Sequence, residues 1–414
     1  MIAQFKTKNE NWSWCIVFIL FASQFLSDVF NLILLVSIFF YYVIKNKYKL
    51  CLNLPGRNIY FYFIISGILI GGVNIILKEY SIYIFFKHTY YVLLPFFYWT
   101  VGDMLSKSSK NTRTRIIRSL LIASIMYSIY DLSHVIFLLT NNGFISLYNF
   151  RNLIGGGSFL AVIGIYLLFF YQNEIGYKKA SRIIAYILLL SSLLVHFSRT
   201  FLLEVVILII FSGITINYSK IGKLFAVLII GLIVIAIIFP DLFYSFLKKI
   251  MSSINELNFR TESWSQITVT QNWRGYEVYC ALHKFNLAGV IEELFGGGFG
   301  ATLDVFGYAH LVTDEDSLIF LHNGYFTQLM IWGMVGIILF FLWTVQIYKR
   351  GKVLVNKQDR CLVKGMTMVI LCITCFIMGP FFGKAVAVYL FYISLFCGLS
   401  QGTDIISKQD ENKL

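Results

Sequence analysis

Residues 322–347 read HNGYFTQLMIWGMVGIILFFLWTVQI, a stretch with no Asp, Glu, Lys or Arg that runs straight into Tyr348-Lys349-Arg350. As a helix, a run of about 20 apolar residues covers the ~30 Å hydrocarbon layer of a bilayer. The stretch therefore reads as a membrane span over 323–347 with a polar residue, His322, at its entrance. The rest of the chain follows the same pattern. Hydrophobic residues make up 58% of it, aromatics 18% and charged residues only 13%, and the mean hydropathy is +0.74. A water-soluble chain of 414 residues has too little interior to hide that much apolar side chain. Further apolar runs lie near 12–27, 29–44, 58–77, 82–103, 118–138, 153–172, 183–198, 201–217, 223–244, 364–382 and 385–402. The expected fold is an all-α integral membrane protein with roughly twelve transmembrane helices. Only four prolines interrupt the chain, so these helices are expected to be mostly continuous.

Short loops rich in Lys and Arg stay on the cytoplasmic side. One set of loops carries Lys45, Lys47 and Lys49, then Lys107, Lys110, Arg113, Arg115 and Arg118, then Lys178, Lys179 and Arg182, and finally Lys349, Arg350, Lys352, Lys357, Arg360 and Lys364. These loops alternate with the expected spans, which puts both termini in the cytoplasm and the long segment 245–321 outside. The chain thus divides into a bundle of about nine spans over 1–244, an extracytoplasmic segment over 245–321, and the last spans with a short tail over 322–414, which together are expected to form one functional unit. The net charge of +13 then reflects topology and contact with anionic membrane lipid, with no nucleic-acid footprint.

Lys6 and Lys8 precede the apolar run from Trp12 to Phe25 as in a signal peptide, yet no small-residue cleavage pattern follows and a second apolar run begins at once. The reading is a retained first span. Of seven cysteines only Cys280 falls in the outer segment, which argues against a structural disulfide there. Cys372 and Cys375 have C-x-x-C spacing inside an apolar helix, where packing is the reading. The chain shows no internal repeat of the kind that builds many transporters.

Polar chemistry is concentrated between 245 and 323. In order come Arg260, Trp264, Trp273-Arg274-Gly275-Tyr276, His283, the run Glu292-Glu293-Leu294-Phe295-Gly296-Gly297-Gly298-Phe299-Gly300, His310, Asp314-Glu315-Asp316 and His322-Asn323. A histidine at a membrane entrance, reached past two arginines, offers proton transfer beside fixed positive charge. That combination suits a phosphate-activated substrate and points to an enzyme rather than a pore. The glycine cluster permits close backbone approach or positive-φ turns. It is no Walker A loop, lacking the following Lys-Ser/Thr.

Four elements carry a family likeness: Ser198-Arg199-Thr200, Arg274 within WRGYEVYCALHKF, Gly296 to Gly300, and HNGYFTQLMIWGMVG with Gly333 and Gly336. In this order the chain resembles the O-antigen ligase and polysaccharide polymerase (Wzy-type) family of membrane glycosyltransferases, over roughly 150–350. The resemblance implies a GT-C-like helical fold with one large outer loop, in the bacterial cytoplasmic (inner) membrane. It implies a donor in which an oligosaccharide repeat is carried on undecaprenyl diphosphate, so no cofactor and no metal is called for.

Such a donor leaves as a lipid diphosphate, which the planar, permanently charged guanidinium fork binds well. Arg199 and Arg274 are the expected catalytic arginines, with Arg260 as a third contact. An arginine within or near a span costs ~2.5–3.5 kcal/mol at mid-membrane and needs a reason; snorkelling to the interface is the alternative. His322 is expected to take the proton of the attacking sugar hydroxyl. Asn323 either orients it, binds sugar, or caps the incoming helix. His196, three residues before Arg199, supports that arginine or packs in the core. Asp131 and His134 read as a structural pair. Trp273, Tyr276, Trp264 and Phe299 stack on sugar or sit in the interfacial belt, and Gly296 and Gly298 let backbone approach the substrate. The expected activity is polymerisation of O-antigen, capsule or exopolysaccharide repeat units. One alternative is a ligase passing the chain to a lipid-A core or protein, and another is a flippase for the same lipid-linked sugar. A chain-length regulator and a separate flippase are the expected protein partners.

Overall fold

The computed structural model describes residues 13–45, 52, 54–107, 112–142, 159–196, 198–213, 240–255, 264–312, 315–376, 381–382 and 384–411, with isolated positions between 222 and 237. Among the described residues the regular secondary structure is helical, the only extended pairing being an isolated bridge between Leu303 and Leu318. The helices are α1 (Ser13–Phe25), α2 (Asp28–Lys45), α3 (Arg57–Leu77), α4 (Ile82–Ser106), α5 (Thr112–Asn142), α6 (Phe159–Phe170), α7 (Gln172–Ile175), α8 (Lys179–Val195) and α9 (Arg199–Gly213). They continue with α10 (Pro240–Asn255), α11 (Gln266–Gln271), α12 (Trp273–Leu287), α13 (Val290–Phe295), α14 (Gly324–Lys352), α15 (Lys357–Ile373) and α16 (Lys384–Glu411).

Four described stretches are long and apolar enough to cross a membrane: Asp28–Lys45, Arg57–Leu77, Arg113–Leu138 and Gly324–Lys352. Shorter apolar helices cover Trp14–Phe25, Phe159–Phe170, Thr200–Phe211 and Val386–Leu399. Leu69, Val73 and Ile76 on α3 and Ile338, Phe341 and Leu342 on α14 stand exposed, an arrangement that only a lipid surround makes favourable. The chain is a membrane-embedded all-α protein. Of the apolar run at 223–244, isolated positions between 226 and 237 and the stretch 240–244 are described.

The bundle core is built on aromatic packing and on small residues. Tyr60, Phe63, Trp99, Trp332, Phe340, Trp343 and Phe381 are all buried in one cluster where α3, α4 and α14 meet. Tyr60 Oη donates to Val92 O at 2.9 Å and Trp332 Nε1 to Phe63 O at 2.8 Å, so the polar atoms of these large rings do not stay unpaired in an apolar interior. Along the α4–α16 contact, Gly102 faces Ser394 and Gly398 faces Ser106 so closely that a Cβ on either glycine would overlap the serine hydroxyl. Small residues bring two backbones together where packing, not water exclusion, drives association.

The two ends of α4 carry different chemistry. Beyond Ser106 the chain turns into α5, where Arg113 contacts Glu174 at 2.9 Å and Asp359 at 2.7 Å, and Tyr171 Oη donates to Asp359 Oδ1 at 2.8 Å. This knot ties together three of the basic loops, those before α5, before α8 and before α15. At the other end Lys87 lies 3.6 Å from Glu315 and His88 meets Gly300 and Ile319. His88 and Asp103 are fifteen residues apart on one helix, ~22 Å at the α-helical rise. The segment 264–322 therefore sits at the end of the bundle away from the charge knot.

Candidate functional site

The segment 264–322 folds as short helices around a small core of its own. Ser265 and Thr268 form a capping box that starts α11, and Asn272 accepts from Gly275 N–H at 3.1 Å to start α12, the standard way to satisfy first-turn donors. Val269, Tyr276, Cys280, Ala281, Leu303, Val305, Leu318 and Leu321 pack together beneath these helices. Burial pushes the free Cys280 thiol up to about 11, so this cysteine is packing material rather than a nucleophile. Burial also pushes the Lys284 ammonium down, while its Nζ donates to Thr302 O at 2.6 Å.

On α12, Trp273 and Glu277 are one turn apart and so share a face. Trp273 Nε1 donates to Glu277 Oε1. The same carboxylate reaches across to the entrance of α14. Its Oε2 accepts from the His322 backbone N–H at 2.9 Å, and its Oε1 accepts from His322 Nδ1 at 2.8 Å. The Glu277 side chain is 2% exposed whereas that of His322 is 50% exposed. A carboxylate only accepts, so the proton on the imidazole is held at Nδ1 and the Nε2 lone pair is left for another partner. A buried acid fixing the tautomer and tilt of an accessible histidine is the arrangement by which a general base is aimed.

The start of α14 is itself pinned. Asn323 Oδ1 accepts from Tyr325 N–H at 3.1 Å, Gly324 N–H donates to Thr374 O at 2.7 Å, and Tyr325 Oη donates to Leu371 O at 2.9 Å. Of the three roles open to Asn323, capping is the one its side chain performs. Arg274 is half-buried on α12, three residues before Glu277, which places it on the same helical face as the carboxylate that holds His322.

The other expected residues fall elsewhere. Tyr276 is buried against Trp264, Trp273, Tyr279 and Tyr308 and donates its hydroxyl to Val305 O at 3.0 Å. Its ring is core, which removes it as a stacking surface for sugar; Phe299, at 0% exposure, is removed likewise. Gly296 and Gly298 do make close approaches at positive φ, but to protein. A Cβ on Gly296 would lie 2.4 Å from the Ile331 carbonyl, and one on Gly298 2.2 Å from Gly71 N. The glycine cluster is a packed seam between α3 and α14, not an open substrate loop.

His196 closes α8 immediately before Arg199 opens α9. Its Nε2 lies 2.9 Å from Asp131 Oδ1, and Ser192 Oγ donates to the other oxygen at 2.6 Å. Asp131 therefore pairs across to α8 rather than with His134, which stacks on Tyr130. The side chain of Arg199 is outside the described set, and Arg260 lies outside the described residues. His322 and Trp273 are thus held on Glu277, with Arg274 three residues before it on α12, while His196 and Arg199 share the α8–α9 junction.

No protein-family model matches this chain, and no curated protein matches it. Glu277 is the residue of this candidate site that the sequence alone did not single out. Its signal was present in WRGYEVY, where the single acid follows Trp273 by four positions and Arg274 by three, but its partner His322 lies 45 residues away and no local spacing announces the pair.

Proposed function

We propose that this protein is a lipid-diphosphate-dependent glycosyltransferase of the outer face of the bacterial cytoplasmic membrane that polymerises surface polysaccharide repeat units. The observation that carries the reading is the His322–Glu277 pair: a buried carboxylate on Nδ1 of a half-exposed imidazole at a membrane entrance. In the proposed reaction, Nε2 of His322 takes the proton from a sugar hydroxyl of the incoming lipid-linked repeat. That oxygen bonds to the anomeric carbon of the growing chain as the bond from that carbon to the phosphate oxygen breaks. The electron pair leaves with the polyprenyl diphosphate, whose charge Arg274 and Arg199 neutralise, with Arg260 as a third contact. The imidazolium that forms is held by Glu277, an ion pair present only after proton transfer begins.

Twelve spans, cytoplasmic termini and an outward-facing segment 245–321 belong to the same proposal. What supports this orientation is the basic-loop pattern together with the joining of three of those loops by Arg113, Glu174 and Asp359. The test is purified protein in liposomes supplied with a polyprenyl-diphosphate oligosaccharide repeat. Elongation to chains of several repeats supports the polymerase. Transfer only to a lipid-A core or protein acceptor replaces it with a ligase, and carrier translocation without any transfer replaces it with a flippase.

A further inference from the structure

Helix α14 does not run unbroken. At Gly333 the backbone leaves helical geometry, with φ +64 and ψ −162, just beyond the carbonyls of Met330 and Ile331. A helix broken inside a bilayer leaves last-turn carbonyls that must find donors within the protein. Here the donors come from the glycine cluster: Gly297 N–H donates to Met330 O and Gly298 N–H to Ile331 O, each at 2.9 Å. On the opposite side, Phe299 N–H donates to Gly67 O at 2.8 Å, and the Asn74 side chain donates to Gly297 O at 2.8 Å. Gly67 and Gly71, one turn apart on α3, leave a notch filled by Phe299; a Cβ on Gly67 would sit 2.3 Å from its ring.

These contacts fix a depth. Gly67 is ten residues from the Leu77 end of α3, ~15 Å along the helix, and Ile331 is seven residues into α14, ~10 Å along it. Leu294 and Phe295 pack their backbone against Gly333, deeper still on α14. Both helices are long and apolar enough to cross a membrane, so non-helical backbone at this level lies well inside the hydrocarbon layer. Irregular backbone is tolerated there when neighbouring protein satisfies it, as the four hydrogen bonds above do.

The short helix leading to that seam has the composition to match. Val290 and Ile291 are 70% and 79% exposed, and Leu294 and Phe295 are also exposed, continuous in character with exposed Leu69, Val73 and Ile76 on α3 and Met334 and Ile338 on α14. The first turn carries two acids: Glu292 pairs with Lys78 at the end of α3, and Glu293 is half-buried. We propose that Val290–Gly300 is a re-entrant segment, dipping into the half of the bilayer on the side of segment 264–322 and returning, and that α13 presents Val290, Ile291, Leu294 and Phe295 to lipid acyl chains. It is independent of the glycosyltransferase reading, since it needs only that α3 and α14 cross the membrane.

The test is depth measurement by nitroxide collision in the full-length protein, reconstituted in phosphatidylethanolamine–phosphatidylglycerol vesicles. The label is attached through a ketone-bearing amino acid placed at position 291 or 294, so the native thiols stay intact. Position 69 on α3 serves as the lipid reference and exposed position 310 as the aqueous one. The expected result is that oxygen collides with the label at 291 and at 294 at least threefold more often than a water-soluble nickel chelate, as at 69, with the reverse ratio at 310. Two substituted positions guard against one label perturbing the fold. A nickel-dominated profile at both, matching 310 while 69 remains oxygen-dominated, would overturn the re-entrant assignment.

Discussion

The two ends of the bundle each hold a buried carboxylate against a nitrogen partner, and they differ in what remains free. At the knot, Asp359 is 0% exposed and takes Arg113 and Tyr171, while Arg113 also engages Glu174. Each member is engaged by another, and the group ties three loops together. At the far end, Glu277 is equally buried and engaged by Trp273 and His322, but His322 is half-exposed and offers a second ring nitrogen. A fully enclosed charge cluster is architecture, whereas a buried acid gripping one side of an accessible histidine is equipped for proton transfer.

Substitutions at the two ends should separate along that line. His322→Ala removes the proposed base and should lower glycosyl transfer by about 10²–10⁴-fold, with normal membrane insertion and helical circular dichroism; a rate within twofold of the parent would break the contrast. Arg113→Ala strands Asp359 in the interior and should destabilise the fold by about 3–5 kcal/mol, read as a clear fall in Tm in detergent. Transfer per folded molecule should be unchanged, and a selective loss of turnover would move the knot into the functional site. Glu277→Gln keeps the side-chain shape but no longer holds the imidazolium, and should cost about 10- to 100-fold in kcat with KM nearly constant. The smallest effect is expected for Tyr276→Phe, which deletes one buried hydrogen bond to Val305 O. It should cost about 1 kcal/mol of stability and leave KM for lipid-linked sugar unmoved, because the ring faces protein.

The parts of the fold legible in sequence are those that one helix decides alone. Apolar runs bounded by charge at 58–77, 82–103 and 323–347 correspond to α3, α4 and α14 within a few residues at either end, since length and polarity limits are local properties. The break at Gly333 was not legible, because a lone glycine in an apolar run is usually tolerated within a helix; it becomes a break here because Gly297 and Gly298 supply the missing donors from outside the helix. The glycines at 296 and 298 were legible as positions of close approach, but what they approach is set by α3 and α14. Asp131 illustrates the same limit, its sequence neighbour His134 being less relevant than Ser192 and His196 across the bundle. At the site, His322 and Arg274 stood out by residue type and place, while Glu277 needed the fold.

The central claim is that Glu277 acts through His322, and a double-mutant cycle on glycosyl transfer in liposomes tests it most directly. If the carboxylate works by holding and aiming the imidazole, then Glu277→Gln combined with His322→Ala should be no slower than His322→Ala alone. Losses that multiply, or a Glu277→Gln variant at full rate beside an inactive His322→Ala, would contradict the account.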